Sequence, residues 1–168
     1  ALGANGAAGA AFLATHIAAS AGGLSWMVAE WVHRGKPTVL GIASGIIAGL
    51  ATVTPGAGFV GPISAMIIGF AAGTLCYVAV VWKMKLGYDD SLDVVGIHGV
   101  GGLMGILATG LFASIGATGA FFGNPEQFGI QVFLALVTLT FSVVGTYLIL
   151  KFVDLTIGLR ISAQDEEM

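Results

Sequence analysis

The sequence predicts an all-α polytopic membrane protein of five transmembrane helices, on three observations. Of 168 residues, 57% are hydrophobic and 9% charged, against about 25% charged in an ordinary soluble domain. Core and wettable surface cannot both be built from such a chain, so lipid must be the solvent for most of it. Five stretches approach the roughly 20 apolar residues that a membrane crossing needs, near 8–31, 38–54, 60–82, 93–114 and 128–153. The six basic residues fall only into alternate connections between those stretches.

Span one (8–31) holds Thr15-His16 and Leu24-Ser25-Trp26-Met27, and it ends at Trp31 before His33, Arg34 and Lys36. Span two (38–54) is near the lower length limit and carries Gly41, Gly45 and Gly49, a ridge of small residues that lets helix backbones approach closely. The turn around Thr54-Pro55-Gly56-Ala57-Gly58 leads into span three (60–82), where Gly69 and Gly73 repeat the device and Trp82 ends the span before Lys83 and Lys85. Asp89, Asp90 and Asp93 gather where span four (93–114) begins, and Gly101 and Gly105 give it a small-residue ridge as well. Span five (128–153) ends near Lys151 and Arg160. Such ridges predict a tight bundle, formed among these spans or with further helices.

Basic residues favour the cytoplasmic side of short loops. With five alternating crossings all six fall on one side, while the loops around Pro55 and from Phe121 to Gln127 carry none. The C-terminus is therefore expected inside and the N-terminus outside, with Trp31 and Trp82 in an interfacial belt. The chain starts at Ala1 with no initiator methionine, basic leader or cleavage site, and is expected to be part of a longer polypeptide. Residues 1–161 are assigned to the helical bundle and 162–168 to a truncated cytoplasmic tail.

Polar side chains deep in a span mark either interhelical contacts or a pathway. His33 sits beside Arg34 and Lys36 and reads as a solvated loop residue. His16 reads as a bonding partner for a neighbouring helix or its own preceding turn, or as the border of a polar vestibule. His98 stands apart, with apolar or glycine neighbours on every side in Asp93-Val94-Val95-Gly96-Ile97-His98-Gly99-Val100-Gly101-Gly102. Packing alone would account for one histidine, but Gly99 and Gly102 clear space beside its face for another helix or a narrow lumen. Neutral imidazole has one donor and one acceptor nitrogen, which suits the guidance of a neutral amine. A carboxylate there would hold a cation too tightly. The three aspartates read first as caps on the span-four N-terminus. Asp90 lies about two turns before His98 and off its face, where it would orient a loop or inner vestibule.

Enzyme classes fail on inventory: there is no Gly-x-Ser-x-Gly elbow, His-Glu-x-x-His pair or phosphate-cradling loop with lysine. Net charge is −3, too small and scattered to argue for nucleic acid, and the lone Cys76 supports neither a disulfide framework nor a zinc motif. No metal or cofactor is expected.

The run from Asp89 to Gly102 resembles the tenth-helix motif of the Amt ammonium transporters in the Amt/Rh family. Further matches are Leu24-Ser25-Trp26-Met27, Thr54-Pro55 with Ala57-Gly58-Phe59-Val60-Gly61-Pro62, and Val153-Asp154-Leu155-Thr156-Ile157-Gly158-Leu159-Arg160. The Gly-Val-Gly-Gly run after His98 is Amt-like rather than Rh-like. The resemblance implies an eleven-helix fold of two inverted five-helix repeats plus a final long helix, of which this chain supplies helices seven to eleven. It also implies a homotrimer in the cell membrane with one pore per subunit, control by PII signalling proteins at the cytoplasmic face, and ammonium as substrate, deprotonated in an outer vestibule before ammonia crosses an apolar pore lined by two histidines. His98 matches the second of that pair, Val94 a pore-lining position one turn earlier, and Asp90 the acid that mirrors the conserved acid of the first repeat. Asp93 is taken with Asp90 as a supporting acid. The first pore histidine, the phenylalanine gate and the recruitment site belong to the first six helices, so this segment alone is not expected to conduct. Two other readings stay open: an ammonium sensor on the same fold, and a purely structural membrane bundle.

Overall fold

The computed structural model describes residues 3–160, which are helical throughout their regular structure, with no strand among them. The helices are α1 (Gly6–Arg34), α2 (Val39–Val53), α3 (Pro62–Leu86), α4 (Val100–Phe112) and α5 (Pro125–Thr156). A five-residue π turn, Val95–Gly99, leads into α4, and a 3-10 turn, Ala120–Phe122, precedes α5. The expected tail at 162–168 and the last bundle residue, 161, lie outside the described residues.

Local chemistry sets the helix ends. Asn5 accepts the Ala8 N–H at 3.1 Å and starts α1, while Gly35, at φ 78°, ends it in the left-handed conformation that glycine adopts at no steric cost. Thr38 caps α2. Pro62 opens α3 at a position where its missing N–H costs nothing, and Gly87 closes it at φ 70°. α1 and the C-terminal end of α3 run a few residues past the expected spans because these caps, rather than the ends of the apolar runs, decide the boundary; α5 also extends past both ends of its expected span.

Among the described residues, four helical stretches are long and apolar enough to cross a membrane: α1, α3, the π turn with α4, and α5. α2 has 15 residues, about 22 Å against a hydrocarbon core of about 30 Å. The chain after α2 makes up structure by turns: Gly56 accepts from Phe59 and Val60, and the Phe59 carbonyl accepts from Ser114 and Ile115 at 2.7 and 3.0 Å. Val60 is 1% exposed, so this connection is packed and not a free loop.

The chain divides into two compact units, 1–132 and 133–168. In the first, the glycine ridges meet their partners within the chain. A methyl group added at Gly45 would overlap the Trp26 Cβ, and one at Gly49 or Gly69 would overlap the Ala18 carbonyl. Added at Gly73 it would meet Ser25 and Gly22, and at Gly105 the Thr52 carbonyl. α1 is thus the common partner of α2 and α3, and α4 seats on α2. Without a hydrophobic force between helices in lipid, such backbone proximity is what van der Waals packing requires. The second unit carries the rest of α5, with Phe133, Phe141, Leu148 and Phe152 all exposed.

Candidate pore-lining site

The site begins at the end of α3. The Lys83 ammonium donates to the Asp93 carboxylate and, at 2.5 Å, to the Asp90 backbone carbonyl. Asp90 turns its own carboxylate the other way, accepting the Val94 N–H on one oxygen and the Val95 N–H on the other, each at 2.9 Å. This is the capping role anticipated for the aspartate cluster, and it falls to Asp90. Asp93 instead forms an ion pair and takes φ 57°, the one positive φ of a non-glycine among the described residues. Its carbonyl accepts the Ile97 N–H at 2.9 Å.

The uniform helix expected from residue 93 onward is not what forms. Val95–Gly99 is a π turn with His98 inside it. Gly96 lets this wider turn lie close against Val80, where an added methyl group would come within 2.7 Å, and the backbone groups that the turn displaces find partners. The Val100 N–H is shared between the Ile97 and Val95 carbonyls. The Cys76 thiol faces the Ile97 carbonyl at 3.9 Å. Single π turns of this kind concentrate at functional sites.

Two sets of glycines sort to different sides of this segment. Gly96, Gly101 and Gly105 are buried, and a methyl group on the first two would come within 2.7 Å of Val80 and 2.8 Å of Thr52. Beside His98 the opposite holds: a methyl group on Gly102 would meet nothing within 4 Å, and one on Gly99 only Val95 at 3.8 Å. The imidazole is exposed on that cleared face, and Val94, four residues earlier, is 48% exposed. Ile97, adjacent in sequence, is 5% exposed and packs with Trp26, Ala48, Cys76 and Tyr77. The segment is thus anchored by one side and bare on the side that carries His98 and Val94.

The other two histidines differ from each other. His16 is exposed on α1 and stacks on Phe12 one turn earlier, with ring centroids 6.2 Å apart, a contact with its own preceding turn. His33, expected as a solvated loop residue, lies in the last turn of α1 with Nδ1 2.7 Å from the Tyr77 hydroxyl of α3. Helix α1 runs past Trp31, so His33 stays exposed as expected but sits on a helix beside α3 instead of in a loop.

Two side chains that tie helices or turns together at this end of the chain escaped the sequence reading of the site. Glu30 is 3% exposed and accepts from the Thr38 N–H at 3.0 Å and from its hydroxyl at 3.0 and 3.2 Å, so a buried carboxylate ties the end of α1 to the start of α2. Its signal was present, since an acid inside a predicted span is costly and needs partners. Lys83 carried no such signal, because a lysine at a span end ordinarily reads as an orientation charge. Glu30, Tyr77, Lys83 and Asp93 line one cleft of about 400 Å³ at the ends of α1 and α3.

The Ammonium Transporter Family model matches residues 1–168. The chain is 48% identical over 171 residues to an ammonium transporter of Aquifex aeolicus, covering 99% of this chain and 40% of that protein. To an ammonium transporter of Bacillus subtilis it is 43% identical over 170 residues, covering 98% and 42%. Among solved structures, Saccharomyces cerevisiae Mep2 superposes with a TM-score of 0.87 at 38% identity, covering 94% of this chain and 38% of that one. A sensor Amt protein superposes at 0.85 with 26% identity, covering 97% and 41%. The chain spans about two fifths of the length of the curated relatives it matches.

Proposed function

The chain belongs to the ammonium transporter family, and on that premise we propose that it forms helices seven to eleven of an ammonium channel or transporter in the cell membrane, with His98 as a pore histidine and Val94 lining the pore one turn earlier. The observation that carries this reading is the asymmetry of the π turn: packed glycines on one side, and on the other an exposed imidazole on a face cleared by Gly99 and Gly102. Stripping water from an ammonium ion in an apolar passage is costly, while the neutral amine crosses far more easily. A neutral imidazole offers that amine a donor without an opposing charge. Asp90 and Asp93 act on the backbone that presents His98 and do not touch the permeant. The basic ends of α1 and α3 face the cytoplasm, so the N-terminus lies outside and the C-terminus inside. The assembly is a homotrimer whose cytoplasmic face receives a PII-type regulator.

Ammonium uptake into vesicles by the complete chain, compared with His98→Ala and His98→Asp, tests the reading. Both substitutions are expected to change the rate strongly, Asp by retaining the cation. Transport that ignores both would remove His98 from the pore. A sensor role is the second reading, favoured by the likeness to the sensor Amt protein. Ammonium binding without vesicle uptake would select it.

A further inference from the structure

We propose that Lys83 is a positioning residue for His98, locking the left-handed residue from which the π turn departs. This role rests on the reading of His98 as a pore residue and extends it to a lysine on a different helix. A non-glycine residue at φ 57° is uncommon, and aspartate tolerates it better than most. It persists where the surroundings hold it. Here one ammonium holds both ends of the four-residue turn 90–93, through the Asp90 carbonyl and the Asp93 carboxylate. The turn closes on itself as well, with the Asp93 N–H donating to the Asp90 carbonyl at 3.2 Å. From its two ends leave the backbone contacts that begin the π segment: the Asp90 carboxylate to Val94 and Val95, and the Asp93 carbonyl to Ile97.

The consequence is a matter of register. A π turn holds one residue more than an α turn, so converting one to the other rotates the flanking segments relative to each other by about 100°. Such a rotation would take Val94 and His98 off the cleared face together or separate them from each other. Side-chain exposures of 16% for Lys83 and 28% for Asp93 leave the pair partly shielded, unlike a free surface ion pair. Lys85, two residues further along α3, is exposed and serves as a charge control.

The test uses the complete transporter in proteoliposomes, with Lys83→Met, Lys83→Arg, Lys85→Met and His98→Ala. Two quantities are read: the initial rate of ammonium uptake, and the imidazole signals of 15N-histidine-labelled protein by solid-state NMR, with that of His98 identified by its loss in His98→Ala. Lys83→Met is expected to lower uptake by about ten-fold or more and to shift or split the His98 signal. Lys83→Arg restores both in large part, and Lys85→Met changes neither. An unmoved His98 signal in Lys83→Met overturns the proposal, whatever the rate does. Should Lys83→Met fail to fold, Lys83→Gln carries the same two readouts. If the His98 signal moves in Lys83→Met while His98→Ala transports normally, positioning stands and the pore reading falls.

Discussion

Removing the Glu30 carboxylate should cost the protein more stability than any surface charge change. The side chain is 3% exposed and takes two donors from one residue, the N–H and the hydroxyl of Thr38. Thr38 in turn accepts the Gly41 N–H at 3.0 Å, so the carboxylate orients the side chain that caps α2. Hydrogen bonds to a charged partner contribute about 1.5–3 kcal/mol each, which gives about 3–6 kcal/mol for the two. Thr38 is itself exposed, so water can take over part of its bonding, and we expect a net loss of about 2–3 kcal/mol for Glu30→Ala. Arg34 adds little, because its guanidinium is 3.9 Å away and half exposed. At about 2–4 °C per kcal/mol, a drop in melting temperature of about 4–12 °C follows, at the lower end in a longer chain. Thermal unfolding of the complete protein in detergent measures it. Glu30→Gln, which keeps an acceptor, should lose about half as much. Combining Glu30→Ala with Thr38→Val should fall short of the sum by about 1 kcal/mol, since the two share one bond network. An unchanged melting temperature in Glu30→Ala, or full additivity in the double variant, would refute the reasoning.

The two glycine faces should separate cleanly by size-exclusion profile: Gly105→Val, which drives side-chain atoms into the Thr52 carbonyl, loses the monodisperse peak, while Gly102→Ala keeps it. Asp90→Ala removes both capping bonds at the π turn, and a destabilisation of about 1–2 kcal/mol is expected in thermal unfolding, with a fall in vesicle uptake through misplacement of Val94 and His98. Tyr77→Phe deletes the hydroxyl that meets His33 but keeps the ring edge on Trp26 at 5.5 Å; a loss of about 0.5–1.5 kcal/mol is expected, and adding His33→Phe should cost little more.

Where sequence reasoning succeeded, the signal was local in the chain. Each of the five apolar runs holds a helix, and the aspartates before span four read as caps, a role that Asp90 takes toward the Val94 and Val95 N–H groups. Where it failed, the determinant came from elsewhere. His33 is exposed, as its basic chain neighbours suggest, but it sits on α1 rather than in a loop, and its partner Tyr77 is 44 residues away. Glu30 was passed over although an acid in an apolar span is itself a warning, because only the return of the chain at Thr38 shows what satisfies it. The π turn has no simple periodic signature. It depends on Gly96 fitting against Val80 and on Asp93 being held in a left-handed conformation by Lys83, ten residues earlier.

Composition and the spacing of apolar runs by themselves determined that the chain is a set of lipid-embedded helices, because the cost of exposing or burying backbone polar groups in a bilayer leaves few alternatives. The motif around His98 likewise carries the family resemblance in the sequence alone. Only the tertiary structure decided which glycines are consumed by packing and which leave the imidazole bare, which aspartate caps and which pairs, and where the helix widens. Those outcomes depend on the distance between helices, and a single strand of sequence does not contain that distance.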